Sequence, residues 1–113
     1  MVDFGESTRS DGACVVSVVG EMDLAVVAEF LERALACLDR ADALALDLDL
    51  EGVSFIDSSG LGALVRVRKE AADRGKALTL VNVSASTHRL LEITGLQDAF
   101  DIVDQEPGAD RGK

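Results

Sequence analysis

Strand-like and helical patterns alternate along this chain, and this alternation restricts the fold more than any other feature of the sequence. Strand patterns cover residues 13–19, 44–50, 77–83 and 100–103, and three helical patterns lie between them. Because parallel strands need a long crossover connection, usually a helix, this order predicts an α/β domain with a mostly parallel sheet. A weaker strand pattern over residues 2–8 is a candidate partner for the first strand. We therefore expect four or five strands and three helices.

The residues within each pattern predict which side chains face the core. In the third strand pattern, one face carries Leu44, Leu46, Leu48 and Leu50, and the other carries Ala45, Asp47 and Asp49. Such alternation is typical of a strand with one packed face and one wetter face. The first helical stripe comprises Val27, Leu31, Ala34, Leu35 and Leu38, with Phe30 beside it, and Asp23 is its candidate N-cap.

The two later helices follow the same logic. The second is predicted from Leu61, Leu64, Val65, Arg68, Ala71 and Ala72, and Gly75 is expected to end it. Ser84 or Ser86 is expected to cap the third, which carries Leu90, Leu91 and Ile93 and stops at Gly95. Residues 1–104 are thus predicted to form one domain, and residues 105–113 a flexible C-terminal tail.

Composition excludes several classes of protein. No apolar run approaches the roughly 18 residues of a membrane span, and no signal-peptide pattern is visible, so a cytoplasmic protein is expected. Cys14 and Cys37 are widely spaced in apolar surroundings, which indicates buried thiols and no metal site. The net charge is −10, and residues 1–51 hold 12 acidic side chains against 3 basic ones. This charge disfavours nucleic acid and anionic lipid as partners and favours a basic protein surface, although acidity also serves solubility alone.

One segment carries candidate chemistry, residues 55–62 with the sequence FIDSSGLG, where a strand pattern turns into a helix. Small polar residues there place hydroxyls and free backbone N–H groups at a helix N-terminus, which attracts anions such as phosphate. Gly60 and Gly62 leave bare backbone that another molecule can approach. The alternative is purely structural, with Asp57 or Ser58 as an N-cap and Gly60 required for packing.

Several sequence marks occur in the order found in one family. These are Gly20-Glu21-x-Asp23, the acidic strand before FIDSSGLG, Gly75, and LLEITGL near the end. From about residue 14 to 103 the chain resembles a STAS domain of the anti-sigma factor antagonist type. The resemblance implies a sheet with helices packed largely on one side. Members often continue into a further C-terminal helix, and here a segment containing Pro and Gly stands in that place.

The resemblance also implies a function and a set of site residues. It implies a non-enzymatic protein without cofactors that binds an anti-sigma factor, commonly a serine kinase of the histidine-kinase-like ATPase superfamily, and so releases the sigma factor. The matching phosphoacceptor is Ser58; phosphorylation would end the capture, and a serine phosphatase would restore it. The matching partner-binding residues are Asp23, Asp57, Ser59, Gly60, Leu61 and Gly62.

Two alternatives remain open from the sequence. The chain could be a STAS module of another pathway, such as a stressosome-like scaffold, a transporter-associated subunit or a signalling adaptor. It could also be an enzyme or small-ligand binder that uses the Ser58 loop. A Ser-His-Asp hydrolase is disfavoured because the single histidine, His88, is predicted at the start of the third helix with no partner arrangement visible. Asp23 could be functional or only a helix cap.

Overall fold

A computed structural model describes residues 2–104 and shows three helices packed on a five-stranded sheet. The strands are β1 (Asp3–Thr8), β2 (Ala13–Met22), β3 (Ala45–Ile56), β4 (Ala77–Val81) and β5 (Asp101–Val103). The helices are α1 (Leu24–Asp39), α2 (Ser58–Asp73) and α3 (Ala85–Thr94), and a 3-10 turn, Gln97–Ala99, precedes β5. The strands lie in the order β1-β2-β3-β4-β5, with β1 antiparallel to β2 and the remaining pairs parallel. The predicted fold class is confirmed, whereas the predicted tail, 105–113, lies outside the described residues.

All three helices pack on one face of the sheet, as the resemblance implied. Leu46 and Leu48 of β3 line up with Leu78 and Leu80 of β4, so these side chains share a face. One core cluster joins fully buried side chains from this face with fully buried side chains from the three helices: Leu46, Leu48, Leu80, Phe30, Leu64 and Leu91. No helix within residues 2–104 has the length and apolar content that crossing a membrane requires.

The opposite face of the sheet, predicted to be the wetter one, contains one buried carboxylate. Asp47 lies on this face, in register with Val15 and Thr79, yet it is buried. Arg9, from the turn between β1 and β2, forms an ion pair with the Asp47 carboxylate. Ala45 and Asp49 on the same face are half-buried, so Asp47 is the exception on the predicted wetter face, because a residue distant in sequence pairs with its charge. Leu44, expected to face the core, precedes β3 and is exposed.

Two strands extend further than predicted, and the extension positions the functional site. We expected the first long strand to end at Gly20, but β2 continues to Met22, with Gly20 at φ +121°. The residues after Leu50, where the predicted strand ended, also belong to a strand, since β3 runs unbroken to Ile56. Register shifts near Gly20 keep the strands paired, so Met22 lies beside Ile56. In the other direction, β4 stops at Val81, two residues early, and Asn82 adopts a left-handed conformation.

The helix boundaries were predicted better than the helix faces. Asp23 and Ser84 are N-caps, and Gly75 and Gly95 follow helix ends with positive φ values. The buried residues of α1 are Val26, Phe30, Ala34, Cys37 and Leu38, whereas Val27, Leu31 and Leu35 are half-buried. The core face is therefore centred on Phe30, next to the stripe that we predicted.

On the other two helices, some of the predicted core positions proved exposed. Leu61, Leu64 and Ala71 are buried in α2, together with Val67, but Val65, Arg68 and Ala72 face outward. In α3, Leu91 is buried and Ile93 is exposed. Each helix has more apolar surface than the sheet can cover, and the position of the neighbouring elements determines which part is buried.

Candidate functional site

Two helix N-termini lie side by side at the carboxyl ends of β2 and β3. Met22 and Ile56 are paired at the last positions of these parallel strands, and Asp23 and Asp57 follow them directly as N-caps of α1 and α2. The Asp57 amide donates a hydrogen bond to the Met22 carbonyl at 3.3 Å. Since neighbouring strands lie about 4.8 Å apart, the two capping carboxylates belong to one small surface.

Asp57 satisfies the start of α2 with a single carboxylate oxygen. Its Oδ1 accepts hydrogen bonds from the Ser59 amide at 3.0 Å, the Gly60 amide at 3.1 Å and the Ser59 hydroxyl at 2.6 Å. The Ser59 hydroxyl, followed by the two amides, lowers the pKa of Asp57, so the carboxylate stays charged at neutral pH. Two of the amides that we expected to be free at this helix N-terminus, those of Ser59 and Gly60, are thus already occupied.

Ser58 is the first residue of α2, and its side chain is exposed. The two neighbouring hydroxyls differ in their environment. The Ser59 hydroxyl is turned back to the Asp57 cap, whereas the Ser58 hydroxyl makes no hydrogen bond to any side chain or backbone group in residues 2–104. Ser58 is therefore the hydroxyl that an external molecule can reach at this site.

Gly60 is required by close packing of α2 against β2. A Cβ atom added at Gly60 would lie 2.5 Å from the Met22 carbonyl oxygen and 2.9 Å from Cγ1 of Ile56. Gly60 and Leu61 are buried. Any contribution that they make to partner binding is therefore indirect, through support of the first turn of α2 from below. Gly62, in contrast, is exposed, and a Cβ atom there would meet nothing within 4 Å.

Asp23 borders a shallow acidic groove at the N-terminus of α1. Its Oδ1 accepts a hydrogen bond from the Ala25 amide at 3.1 Å, which makes it a helix cap whatever else it does. The groove has a volume of about 250 Å³, with the carboxylates of Glu21, Asp23 and Glu29 around an apolar floor that includes Val26. Charge complementarity favours a basic side chain of a partner in this position.

Two exposed apolar residues of this region were not predicted to bind a partner. Phe55 pairs with Glu21 in the sheet and is 49% exposed, and Leu24, the first residue of α1, is 77% exposed. Phe55 belongs to the segment with candidate chemistry, residues 55–62, but was not predicted as a partner-binding residue, and Leu24 directly follows the N-cap Asp23. The surface is thus apolar as well as acidic. Exposed apolar side chains of this kind supply contact area where a partner covers them.

The single histidine of the sequence lies on a different helix from Ser58. His88 lies on α3, where it lines a depression with Ala85, Arg89, Glu92 and Ile93 that contains neither Ser58 nor Ser59. Across residues 2–104, no three His, Cys, Asp or Glu side chains are grouped as metal ligands would be. What the site presents is one reachable hydroxyl among carboxylates and exposed apolar side chains.

Comparison with known proteins assigns the family. The STAS domain model matches residues 6–109. The chain belongs to the STAS family. An anti-sigma-B factor antagonist from Staphylococcus aureus (strain NCTC 8325 / PS 47) is 37% identical over 97 residues, which cover 86% of this chain and 89% of the relative.

Two solved structures share the fold of this chain. The crystal structure of an anti-sigma factor antagonist from Mycobacterium paratuberculosis has a TM-score of 0.81 at 27% identity, covering 96% of this chain and 91% of that one. The Bacillus cell fate determinant SpoIIAA, solved in its phosphorylated form, has a TM-score of 0.73 at 20% identity. The match covers 98% of this chain and 100% of SpoIIAA. At that identity, the likeness to SpoIIAA concerns the fold alone.

Proposed function

We propose that this STAS protein is an anti-sigma factor antagonist whose binding to an anti-sigma factor ends when Ser58 is phosphorylated. The observation that carries the proposal is the exposed Ser58 hydroxyl in the first turn of α2, beside the capped N-terminus of α1. The relatives named anti-sigma-B factor antagonist support the same role, which is regulatory rather than enzymatic. The partner is an anti-sigma factor with serine kinase activity, and a serine phosphatase reverses the modification.

The partner surface consists of the residues around the Ser58 hydroxyl. Asp23, Asp57, Ser59 and Gly62 are at least partly accessible in this region, and Gly60 and Leu61 lie beneath them. The exposed Leu24 and Phe55 side chains supply apolar contact area. A partner that combines basic and apolar side chains therefore complements this surface.

A phosphate on Ser58 is expected to abolish binding by charge alone. Phosphoserine carries about −1.5 to −2 charges near neutral pH. The amides of Ser59 and Gly60 are already bonded to Asp57, so they are not free to bond the new phosphate oxygens. Repulsion from one carboxylate about 6 Å away, at an effective dielectric constant near 20, costs roughly 3 kcal/mol per unit charge.

The free protein and the complex respond differently to this repulsion. In the free protein the phosphate can turn toward water, because Ser58 is exposed. In a tight interface the phosphate stays close to the carboxylates and also loses its hydration. Since about 2.7 kcal/mol corresponds to a hundredfold change in affinity, one phosphate is sufficient to prevent capture without a change of fold.

The test is a binding titration with the purified kinase-type anti-sigma factors of the source organism. Ser58→Ala is expected to bind as tightly as the unmodified protein, and Ser58→Asp at least tenfold more weakly. Ser86→Asp is the matched control, because it adds the same charge near the N-terminus of α3 and should bind normally. Equal affinities for the Ser58 variants would refute the mechanism.

A second measurement tests the modification itself. Incubation with the same kinases and ATP, followed by peptide mapping, should place the phosphate on Ser58 and leave Ser59 unmodified. Labelling of Ser59 alone would contradict the assignment that the hydrogen-bonding pattern supports. Capture of a transporter subunit or a scaffold protein, with no kinase bound, would instead favour a STAS module of another pathway.

A further inference from the structure

The two cysteines of this chain lie against each other in the core, far from each other in sequence. Cys14 is near the start of β2, Cys37 is in the last turn of α1, and both are almost completely buried. Their Sγ atoms are 2.7 Å apart. A disulfide bond is about 2.05 Å long, so a movement of well under 1 Å would bring the two sulfur atoms to bonding distance.

The two thiols have different polar neighbours. The Arg40 guanidinium lies 3.9 Å from the Sγ of Cys14, whereas the Sγ of Cys37 lies 3.6 Å from Oε2 of Glu6. Burial, followed by the contacts with Cys14 and Glu6, raises the pKa of Cys37. A nearby cation favours the thiolate form of a cysteine, and a nearby carboxylate disfavours it. Cys37 is therefore the weaker nucleophile and the resolving thiol, and Cys14 is the thiol that attacks first.

We propose that Cys14 and Cys37 form a reversible intramolecular disulfide when the protein meets a hydroperoxide. The Cys14 thiolate attacks one peroxide oxygen, the O–O bond breaks, and protonation of the departing oxygen releases water from hydrogen peroxide. The Cys37 sulfur then attacks the resulting sulfenic acid, its proton leaves with the hydroxyl group, and a second water is released. Two thiols lose two electrons in all, and the peroxide gains them.

The bond would connect the end of α1 to the start of β2 and close a loop that includes all of α1 except its last residues. Closing a loop of this length restricts the unfolded chain, which stabilises the folded state. The capping residue Asp23 lies at the other end of α1, about 20 Å away along the helix axis. We therefore expect oxidation to raise the melting temperature without altering the Ser58 surface.

The experiment compares the reduced protein with protein treated with a slight excess of hydrogen peroxide. Both thiols should become unreactive toward an alkylating reagent together, the intact mass should fall by two hydrogen atoms, and non-reducing peptide mapping should join the Cys14 and Cys37 peptides. The melting temperature should rise by about 10 °C or more and return after treatment with dithiothreitol. Because the chain contains only these two cysteines, thiol counting is unambiguous.

Two single variants separate the roles of the thiols. Cys37→Ser should accumulate a sulfenic acid at Cys14 that a dimedone probe captures, and Cys14→Ser should show much less labelling at Cys37. Neither variant should gain thermal stability on oxidation. Disulfide-linked dimers of the wild-type protein, sulfinic acid as its main product, or an unchanged melting temperature in the cross-linked protein would overturn the proposal. Affinity for the anti-sigma factor is measured separately, so this result is independent of the proposed Ser58 function.

Discussion

Replacing Gly62 by alanine is expected to stabilise the free protein and to weaken its complex with the anti-sigma factor. Gly62 is exposed in α2, and an added Cβ would meet nothing within 4 Å. Glycine inside a helix costs about 0.5 to 1 kcal/mol relative to alanine, because it loses more backbone freedom on folding. Gly62→Ala should therefore raise the melting temperature by about 4 °C.

The complex should respond in the opposite direction if the partner packs against this turn. An extra methyl group in a well-packed contact typically costs about 1 to 3 kcal/mol. A cost of about 1.4 kcal/mol corresponds to a tenfold increase in Kd. A more stable protein that binds its partner more weakly would show that Gly62 is retained for the interface.

Gly60→Ala is the matched variant in the same helix. Its Cβ would lie 2.5 Å from the Met22 carbonyl oxygen, a backbone atom that no side-chain rotation can move away. That carbonyl also accepts the Asp57 amide hydrogen bond, so a displacement would disturb the start of α2. Overpacking of about 1 to 3 kcal/mol outweighs the gain in helix propensity, and we expect a net loss of about 1 to 2 kcal/mol.

Thermal or urea unfolding of both variants, with calorimetric titration of the anti-sigma factor, measures both effects. Unchanged affinity of Gly62→Ala would refute the placement of this turn in the partner interface. Wild-type stability of Gly60→Ala would show that the close approach of α2 to β2 is not needed. Opposite stability changes at the two glycines are the expected result.

Three further predictions concern charged residues. Because hydrogen bonds lower the folded-state pKa of Asp57, its contribution to stability is present above about pH 4 and is lost as the pH falls through the folded pKa. The free energies of unfolding of Asp57→Asn and the wild type, measured with urea, should therefore become more similar on acidification. A difference that stays constant with pH would contradict this. Asp23→Ala should lower the free energy of unfolding by about 1 kcal/mol and slow the phosphorylation of Ser58. The control Ser84→Ala also removes an N-cap and should lower stability by a similar amount, but the phosphorylation rate should not change. Equal phosphorylation rates in the two variants would show that Asp23 is only a helix cap. Arg9→Ala removes the guanidinium beside the buried Asp47 carboxylate and should lower the free energy of unfolding by about 2 kcal/mol or more. Lys69→Ala, which breaks an exposed ion pair, should lower it by less than about 1 kcal/mol. Similar losses in the two variants would show that burial of the Arg9–Asp47 pair is unimportant.

The sequence alone was sufficient to predict the order of strands and helices and the position of Ser58. Both depend on local patterns, because caps such as Asp23 and Ser84 and the stop at Gly95 act within a few residues along the chain. The motif around Ser58 is also continuous in sequence. Its place at the start of a helix could thus be predicted without any knowledge of distant contacts.

Only the tertiary structure determined which residues of each helix and strand are buried and which distant residues they contact. Hydrophobic periodicity shows that α1 has an apolar face, but the position of β2, β3 and α2 makes Phe30 rather than Leu31 its centre. Burial of Asp47 depends on Arg9, and the difference between Gly60 and Gly62 depends on the Met22 carbonyl. The contact between Cys14 and Cys37 likewise requires that β2 and α1 pack together. Each of these features depends on contacts between residues that are distant in the chain. A local sequence pattern contains no information about which distant residues will be in contact.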